Sequence, residues 1–381
     1  MKKFAICAMC ALLLITSLAA CGTPTPTAEP SPSASPEASP EATPTSTPMS
    51  YDWDAMYATY APETVVMTVN GEDVSWGEFF YWMYNDYLQY FYGYSFDTMV
   101  DEYMNVGQYL AANAMAYCAQ YHVIDQQAKA NNVVLTADDQ AVLDEQLKSD
   151  IESLGGEEGT EEAMYEQLAT LFVTPELYDY INRMSVTYPR MFITLYGENG
   201  ANVTDEETLA FADEFGFMTA KHILFVTVDD EGNALSDEEK ASKRSEAESV
   251  LSELRAVPEA DREALFDEMM QQYSEDPGLE RYPEGYCFEP GMVVQEFEDG
   301  VAALDVGEIS DIVESSNGYH ILLREPVTPE DGVLMNTPEV YSLRYTAAVY
   351  QFNELYNGWL NEADVAYTSD FENFDIASIA A

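Results

Sequence analysis

The chain has 381 residues, of which 69 are acidic and 15 basic, for a formal net charge of −54. That balance excludes nucleic-acid binding through phosphate contacts, which needs a basic footprint. The length exceeds one ordinary domain, so two lobes are expected; with 47% hydrophobic and 13% aromatic residues, wholesale disorder is excluded too.

Met1-Lys2-Lys3 precedes an apolar run from Phe4 to Ile15, and Leu18-Ala19-Ala20-Cys21 follows. A basic start, a short apolar stretch and small residues before a cut site describe an export signal over residues 1–20. The run is too short and wrongly flanked for a membrane span of the mature protein. The string Leu18-Ala19-Ala20-Cys21-Gly22 resembles a bacterial lipobox. That resemblance implies cleavage before Cys21, acylation of its thiol and a lipid anchor on the extracytoplasmic face of the bacterial cell membrane. Residues 21–50 read as a spacer, because 22–50 hold eight of the 18 prolines and no aromatic residue. Such a segment favours polyproline II at about 3.1 Å per residue, a reach on the order of 90 Å. After cleavage only Cys21, Cys118 and Cys287 remain, too few for a disulfide framework. In the mature chain no Cys-x-x-Cys or His-x₃-His spacing supports zinc, so no metal is expected.

Residues 51–216 read as a mostly helical lobe. Val65–Val69 runs into Asn70-Gly71, a strong two-residue hairpin signal. Ser75 and Glu78 form a capping-box pattern opening a helix. Along that helix Trp76, Phe79, Phe80, Met83, Tyr84, Tyr87, Leu88 and Phe91 recur at helical spacing and predict a core-facing stripe. Tyr81, Trp82, Tyr90 and Tyr92 lie off it, which fits either a helix packed on two sides or an aromatic surface that grips unfolded chains. Further helices are predicted at about 101–130, from Thr136 to Gly155-Gly156, at about 160–171, and from Thr174-Pro175 to a break or kink at Pro189. Thr204 with Glu207 opens another.

At residue 217 the period changes. Lys221–Val228 reads as a strand. Helices follow at about 236–254 and 260–273, an extended segment at 284–288 and a short helix at 297–304. The last strands are expected at Ile309–Val313 and Gly318–Leu323. Residues 217–327 thus form one α+β unit. In 328–381, Thr337-Pro338 is expected to start a helix carrying Val340, Leu343, Ala347, Tyr350, Leu355 and Trp359, followed by a strand-like Val365-Ala366-Tyr367. A lone amphipathic helix needs a partner for its stripe. The economical arrangement returns this tail to the N-terminal lobe and makes 217–327 an insertion. The fold class is therefore α+β.

Of three histidines, two share a local string: His222-Ile223-Leu224-Phe225 in the first strand and His320-Ile321-Leu322-Leu323 in the last. Paired centrally, the strands bring the imidazoles side by side, either as satisfied core residues or as a site. Six segments then carry a resemblance: Lys221–Leu224, Tyr273-Ser274-Glu275-Asp276-Pro277-Gly278, Gly285-Tyr286, Gly291-Met292-Val293 with Phe297-Glu298, Leu304-x-x-Gly307-Glu308-Ile309-Ser310, and Gly318-Tyr319-His320-Ile321. In this order and spacing, residues 219–325 resemble a parvulin-type (PpiC-like) peptidyl-prolyl isomerase domain. The whole layout resembles secreted foldases of the PrsA and SurA type, with a helical chaperone lobe around an inserted parvulin domain. The resemblance implies that His222 and His320 are the paired central histidines and Asp276 their acidic partner, the catalytic set. It implies that Phe297 floors the proline pocket, with Val293 and Tyr286 lining it and Asn317 beside it. Val293 and Asn317 depart from the longer apolar and small hydroxyl residues found in some members, which bears on affinity and sequence preference.

Rotation about an X–Pro bond meets a barrier of about 18–20 kcal/mol from amide resonance. No bond is cleaved, so neither nucleophile nor cofactor is required, and the site need only bind the twisted amide better than either planar isomer. The implied partners are unfolded or newly exported polypeptides and, through the lipid, the membrane. The acidic loop Asp229–Asn233 lacks the glycine placement of an EF-hand and reads as a solvated turn. No basic cluster near the first strand supports phosphorylated substrates. The competing class is a holdase whose parvulin domain is weak or inert. A transport substrate-binding lipoprotein would need repeated strand–helix units, which the chain does not show.

Overall fold

The computed structural model describes residues 49–156 and 159–380; the signal, Cys21 and all but the end of the spacer lie outside the described residues. The helices are α1 (Trp53–Tyr57), α2 (Trp76–Tyr90), α3 (Val106–Ala130), α4 (Ala137–Leu154), α5 (Glu161–Ala169), α6 (Pro175–Tyr196), α7 (Asp205–Phe215), α8 (Asp237–Ala256), α9 (Glu259–Tyr273), α10 (Gln295–Ala302) and α11 (Leu343–Glu362). The strands are β1 (Val65–Val69), β2 (Glu72–Ser75), β3 (Met218–Val226), β4 (Tyr286–Phe288), β5 (Val313–Glu314), β6 (Gly318–Glu325), β7 (Gly332–Val333), β8 (Tyr341–Ser342) and β9 (Val365–Tyr367). Two compact units result, one running to Thr194 and resuming over Asn353–Ala381, the other spanning Leu195–Phe352.

In the first unit the hairpin forms at Asn70-Gly71, where both residues take positive φ (51° and 83°), as a tight two-residue turn demands. At the end of the chain β9 pairs antiparallel with β1, Met67 against Tyr367 and Val69 against Val365, whereas residues 328–352 belong to the second unit. Asn70 locks the corner, its amide donating to the Asp364 carbonyl and its side-chain oxygen accepting from the Asp364 N–H, each at 2.8 Å. Phe371 and Ile376 then sink into the core formed by Trp76, Phe79, Phe80 and Met83.

Several expectations are corrected here. Ser75 caps α2, accepting from the Glu78 N–H, but Glu78 does not close the box; its carboxylate instead meets His122 Nε2 at 3.1 Å. Trp82 is buried against Tyr117 and Tyr121, and Tyr81 packs on the α4–α5 cluster, so α2 is packed on two sides. Tyr90 and Tyr92 are exposed, as is Leu88. Pro189 does not end α6; Arg190 beside it forks onto Asp139 at 2.7 and 2.9 Å, and Tyr188 meets Tyr356 edge-on. An interior proline costs roughly 3 kcal/mol, and α6 runs through Pro189 between these two contacts. The last helix begins at Leu343 rather than after Thr337-Pro338, because Tyr341–Ser342 pairs with β7 and the Ser342 hydroxyl accepts from the Tyr345 N–H. Its buried stripe is Leu343, Ala347, Ala348, Phe352 and Tyr356, while Val340, Tyr350 and Leu355 are exposed.

The second unit holds a six-stranded sheet of order β5-β6-β3-β4-β7-β8. Side chains alternate across it with period two. Ile223 and Phe225 of β3, with Tyr319, Ile321 and Leu323 of β6, face α8 and α9 around Val250, Leu254 and Phe266. Ala220 and Leu322 face α10 and its Phe297 and Val301. The expected strand at Ile309–Val313 shrinks to Val313–Glu314, with a single bridge from Ile309 to Leu323. Ser310 takes over the ladder there, its amide donating to the Leu322 carbonyl and its hydroxyl accepting from the Leu322 N–H.

Phe371 is 1% exposed, 4.8 Å from the Tyr60 ring and 6.1 Å from Trp76. Phe371→Ala is expected to destabilise the first unit by about 3–5 kcal/mol. Urea unfolding followed by tryptophan fluorescence checks this, since Trp53, Trp76, Trp82 and Trp359 all lie in that unit.

Candidate active site

The β3–β6 register sets Leu224 opposite His320 and His222 opposite Leu322. Both histidines occupy even positions, so both imidazoles emerge on the α10 face, ring centroids 5.6 Å apart. Phe297 of α10 stands nearly perpendicular to both, 5.1 Å from His222 and 5.5 Å from His320. Val293 and Tyr286 pack against the same apolar cluster, partly buried.

The acidic partner arrives on a loop pinned to the edge of β3. The Ser274 hydroxyl accepts from the Leu224 N–H at 3.1 Å, the Glu275 N–H donates to the Leu224 carbonyl at 2.8 Å, and Glu275 Oε2 accepts from the Val226 N–H at 2.8 Å. Lys243 pairs with the other Glu275 oxygen. Ser274-Glu275 thus replaces a neighbouring strand, and the next residue, Asp276, comes to rest with Oδ2 3.4 Å from His222 Nε2. Its Oδ1 accepts from the Gly278 N–H at 3.1 Å, and Oδ2 accepts from the Tyr286 hydroxyl at 2.6 Å.

Sequence reasoning missed Ser315. Its hydroxyl lies 2.8 Å from His320 Nε2 and accepts from the Asn317 N–H at 3.1 Å. The β5–β6 hairpin places it there by pairing Val313 with His320 and turning through Ser315–Asn317. The legible signal was a serine pair before Asn317-Gly318, a turn that folds its flanks back on the following strand. Asn317 itself is exposed, and its backbone supplies contacts to Ser315 and to the Thr227 N–H. The other imidazole nitrogen of His320, Nδ1, is buried with no hydrogen-bonding partner among the described residues.

Burial pushes the His222 pKa down, with the Asp276 charge opposing. Burial, then the neighbouring His222, lowers His320 to about 4, again against Asp276. Both imidazoles are thus neutral at neutral pH. Burial and the hydrogen bond to Asp276 push the Tyr286 hydroxyl up, so it stays a donor. Among the described residues no group of three His, Cys, Asp or Glu side chains is placed to hold a metal ion, and Cys118 and Cys287 are free and buried.

The family model described as the PPIC-type PPIase domain (Rotamase) matches residues 222–325. The chain carries a PPIC-type peptidyl-prolyl isomerase domain. The foldase protein PrsA of Halalkalibacterium halodurans is 30% identical over 211 residues, 54% of this chain and 54% of that protein. The chaperone SurA of Vibrio vulnificus is 30% identical over 163 residues, 41% of this chain and 32% of that protein. Among solved structures, the peptidylprolyl isomerase PrsA from Bacillus cereus aligns over 84% of this chain and 100% of that one, at 18% identity and a TM-score of 0.29. The chain spans about half the length, or less, of the curated relatives it matches.

The isomerase domain has a pH signature. Below pH 6.5 the unfolded chain protonates an imidazole that the folded site leaves neutral down to about pH 4 at His320. Stability is therefore full above that window and is lost as pH falls through it. The loss assigned to His320 is at most about 3 kcal/mol. Urea titrations read from the Ile223 and Ile321 methyl signals at pH 7 and 4.5 should show it, and His320→Gln should flatten it.

Proposed function

We propose that this protein is an extracytoplasmic foldase that isomerises X–Pro bonds in exported polypeptides. The observation carrying the proposal is the His222–Asp276–His320 network above Phe297, inside the span that matches the isomerase family. In this reading the prolyl ring rests on Phe297 and Val293, with Tyr286 and Asn317 at the rim. Asp276 and the two neutral imidazoles lie beside the carbonyl that swings and favour the twisted amide over either planar form. Neutral rings and a carboxylate held by two donors orient dipoles; they transfer no proton.

The organisation follows the same reading: signal 1–20, lipidated Cys21 and spacer 21–50, helical lobe 51–216, isomerase domain 217–327, and a returning tail 328–381. In this reading attachment is through the lipid on Cys21; among the described residues no helix is long and apolar enough to cross a membrane. Mass spectrometry of the mature protein is expected to find residue 21 acylated, and Cys21→Ser to release the protein from membranes or block its processing. An unmodified Cys21 on the mature chain would end that part of the proposal.

A second reading, chain holding without catalysis, is favoured by one feature. The segment after α2 exposes Tyr92 (73%), Met99 (58%) and Tyr103 (78%), an apolar surface in the helical unit. The deciding measurement is prolyl exchange on an Ala-Pro-type peptide by NMR, with circular dichroism on the same samples. Asp276→Ala, His222→Ala and His320→Ala should each slow exchange by about tenfold or more. The double histidine variant should lose much less than the combined single losses, since the rings act as one network. Phe297→Ala should weaken peptide binding. Folded Asp276→Ala and His320→Ala proteins with wild-type rates would remove those residues from the mechanism. An inactive wild type that still suppresses aggregation would establish holding instead.

A further inference from the structure

Tyr286 reaches the site from β4, paired with Ala220 of β3. Its hydroxyl lies 2.6 Å from Asp276 Oδ2, closer than the 3.4 Å from that oxygen to His222 Nε2. The chain is shaped around this contact at three places. At Gly278 an added Cβ would fall 1.9 Å from the Tyr286 hydroxyl. At Gly285 the backbone takes φ +98°, and a Cβ would sit 2.6 Å from the Ala220 carbonyl oxygen, so glycine lets β4 close on β3 just before Tyr286. Tyr282 braces the ring from behind at 5.2 Å and is itself anchored through its hydroxyl, which accepts from the Met335 N–H at 3.3 Å.

A carboxylate turns easily about its last torsion, which is broad and two-fold. The Gly278 N–H on Oδ1 and the Tyr286 hydroxyl on Oδ2 together stop that rotation. We propose that Tyr286 is a positioning residue: its hydroxyl holds the Asp276 carboxylate at a set orientation and distance from His222, and through it sets the polarity of that imidazole. Its catalytic consequence rests on the isomerase reading; its effect on His222 does not. The titratable groups facing His222 are Asp276 from the loop, Tyr286 from β4 and His320 from β6. Removing the phenol donor leaves more of the Asp276 charge unsatisfied and directed at His222, which favours the protonated imidazole.

The test uses the full mature chain with Tyr286→Phe, which keeps the ring, and Gly278→Ala, whose methyl displaces the hydroxyl. Side-chain ¹⁵N signals of His222 are followed by NMR from pH 4 to 8, beside prolyl exchange on an Ala-Pro peptide. In both variants the His222 signals should move and titrate at higher pH. The exchange rate at saturating peptide should fall about tenfold with peptide affinity little changed, and the double variant should be no worse than Tyr286→Phe alone. Unmoved His222 signals in Tyr286→Phe would overturn the proposal. A loss confined to peptide affinity would overturn it as well, making Tyr286 a substrate contact. A wild type without isomerase activity would sink the isomerase reading, while the His222 signals still decide the role of Tyr286.

Discussion

Eight residue pairs join β3 to β6, from Thr219 opposite Glu325 to Val226 opposite Gly318, and the site depends on that register. A slip of one residue would carry every side chain of one strand to the other face. His222 or His320 would then enter the apolar layer against α8 and α9, and Ile223 or Ile321 would face α10. The register is held from outside the pair as well. Ser310 locks onto Leu322, and Ser274-Glu275 locks onto Leu224 and Val226. The loop that fixes the strand is therefore the loop that delivers Asp276. Sheet stability and site geometry share these bonds, which makes the site expensive to disorder.

The charge balance shapes the rest of the molecule. Acidic residues fill the first turns of α4, α5, α7 and α8, where the helix dipole favours them. Several of the scarce cations stand at joints between elements. Lys221, almost fully buried, lies 2.7 Å from Asp267 of α9 on the face opposite the site. Arg190 ties α6 to the cap of α4 through Asp139, and Arg344 ties the start of α11 to Asp205 of α7 and to Glu330. Exposed ion pairs contribute little, but Arg190 and Arg344 are mostly shielded and make several hydrogen bonds each.

Most of the fold was legible because local rules and global packing agree. The Asn70-Gly71 turn, the caps at Ser75 and Thr136, the alternation around both histidines and the returning Val365–Tyr367 strand all express one-dimensional periods or turn chemistry. What escaped depends on partners distant in sequence. Glu78 abandons its capping role for His122, 44 positions away. Tyr341–Ser342 pairs as a strand because β7 offers an edge, which delays α11. At the site, His222, Asp276, His320 and Phe297 were named from a resemblance whose spacing mirrors the fold. Ser315 was missed because the resemblance pointed to Asn317, whereas the hairpin brings the earlier hydroxyl onto His320.

The protonation states constrain what the site can do. A general acid–base pair works best with a pKa near the operating pH, yet burial drives both imidazoles away from that range, His320 to about 4. The hydroxyl of Tyr286 is pushed the other way and cannot serve as a base. A site of this kind offers fixed dipoles on an apolar floor, with one imidazole nitrogen of His320 left without a partner among the described residues. Amide rotation demands little else, since the bond that turns is never broken and the charge it redistributes is small. Keeping the rings neutral also keeps them compatible with their edge-on contact to Phe297. Low imidazole pKa values and an aromatic floor thus share one cause, burial, and polarity enters where Asp276, Tyr286 and Ser315 direct it.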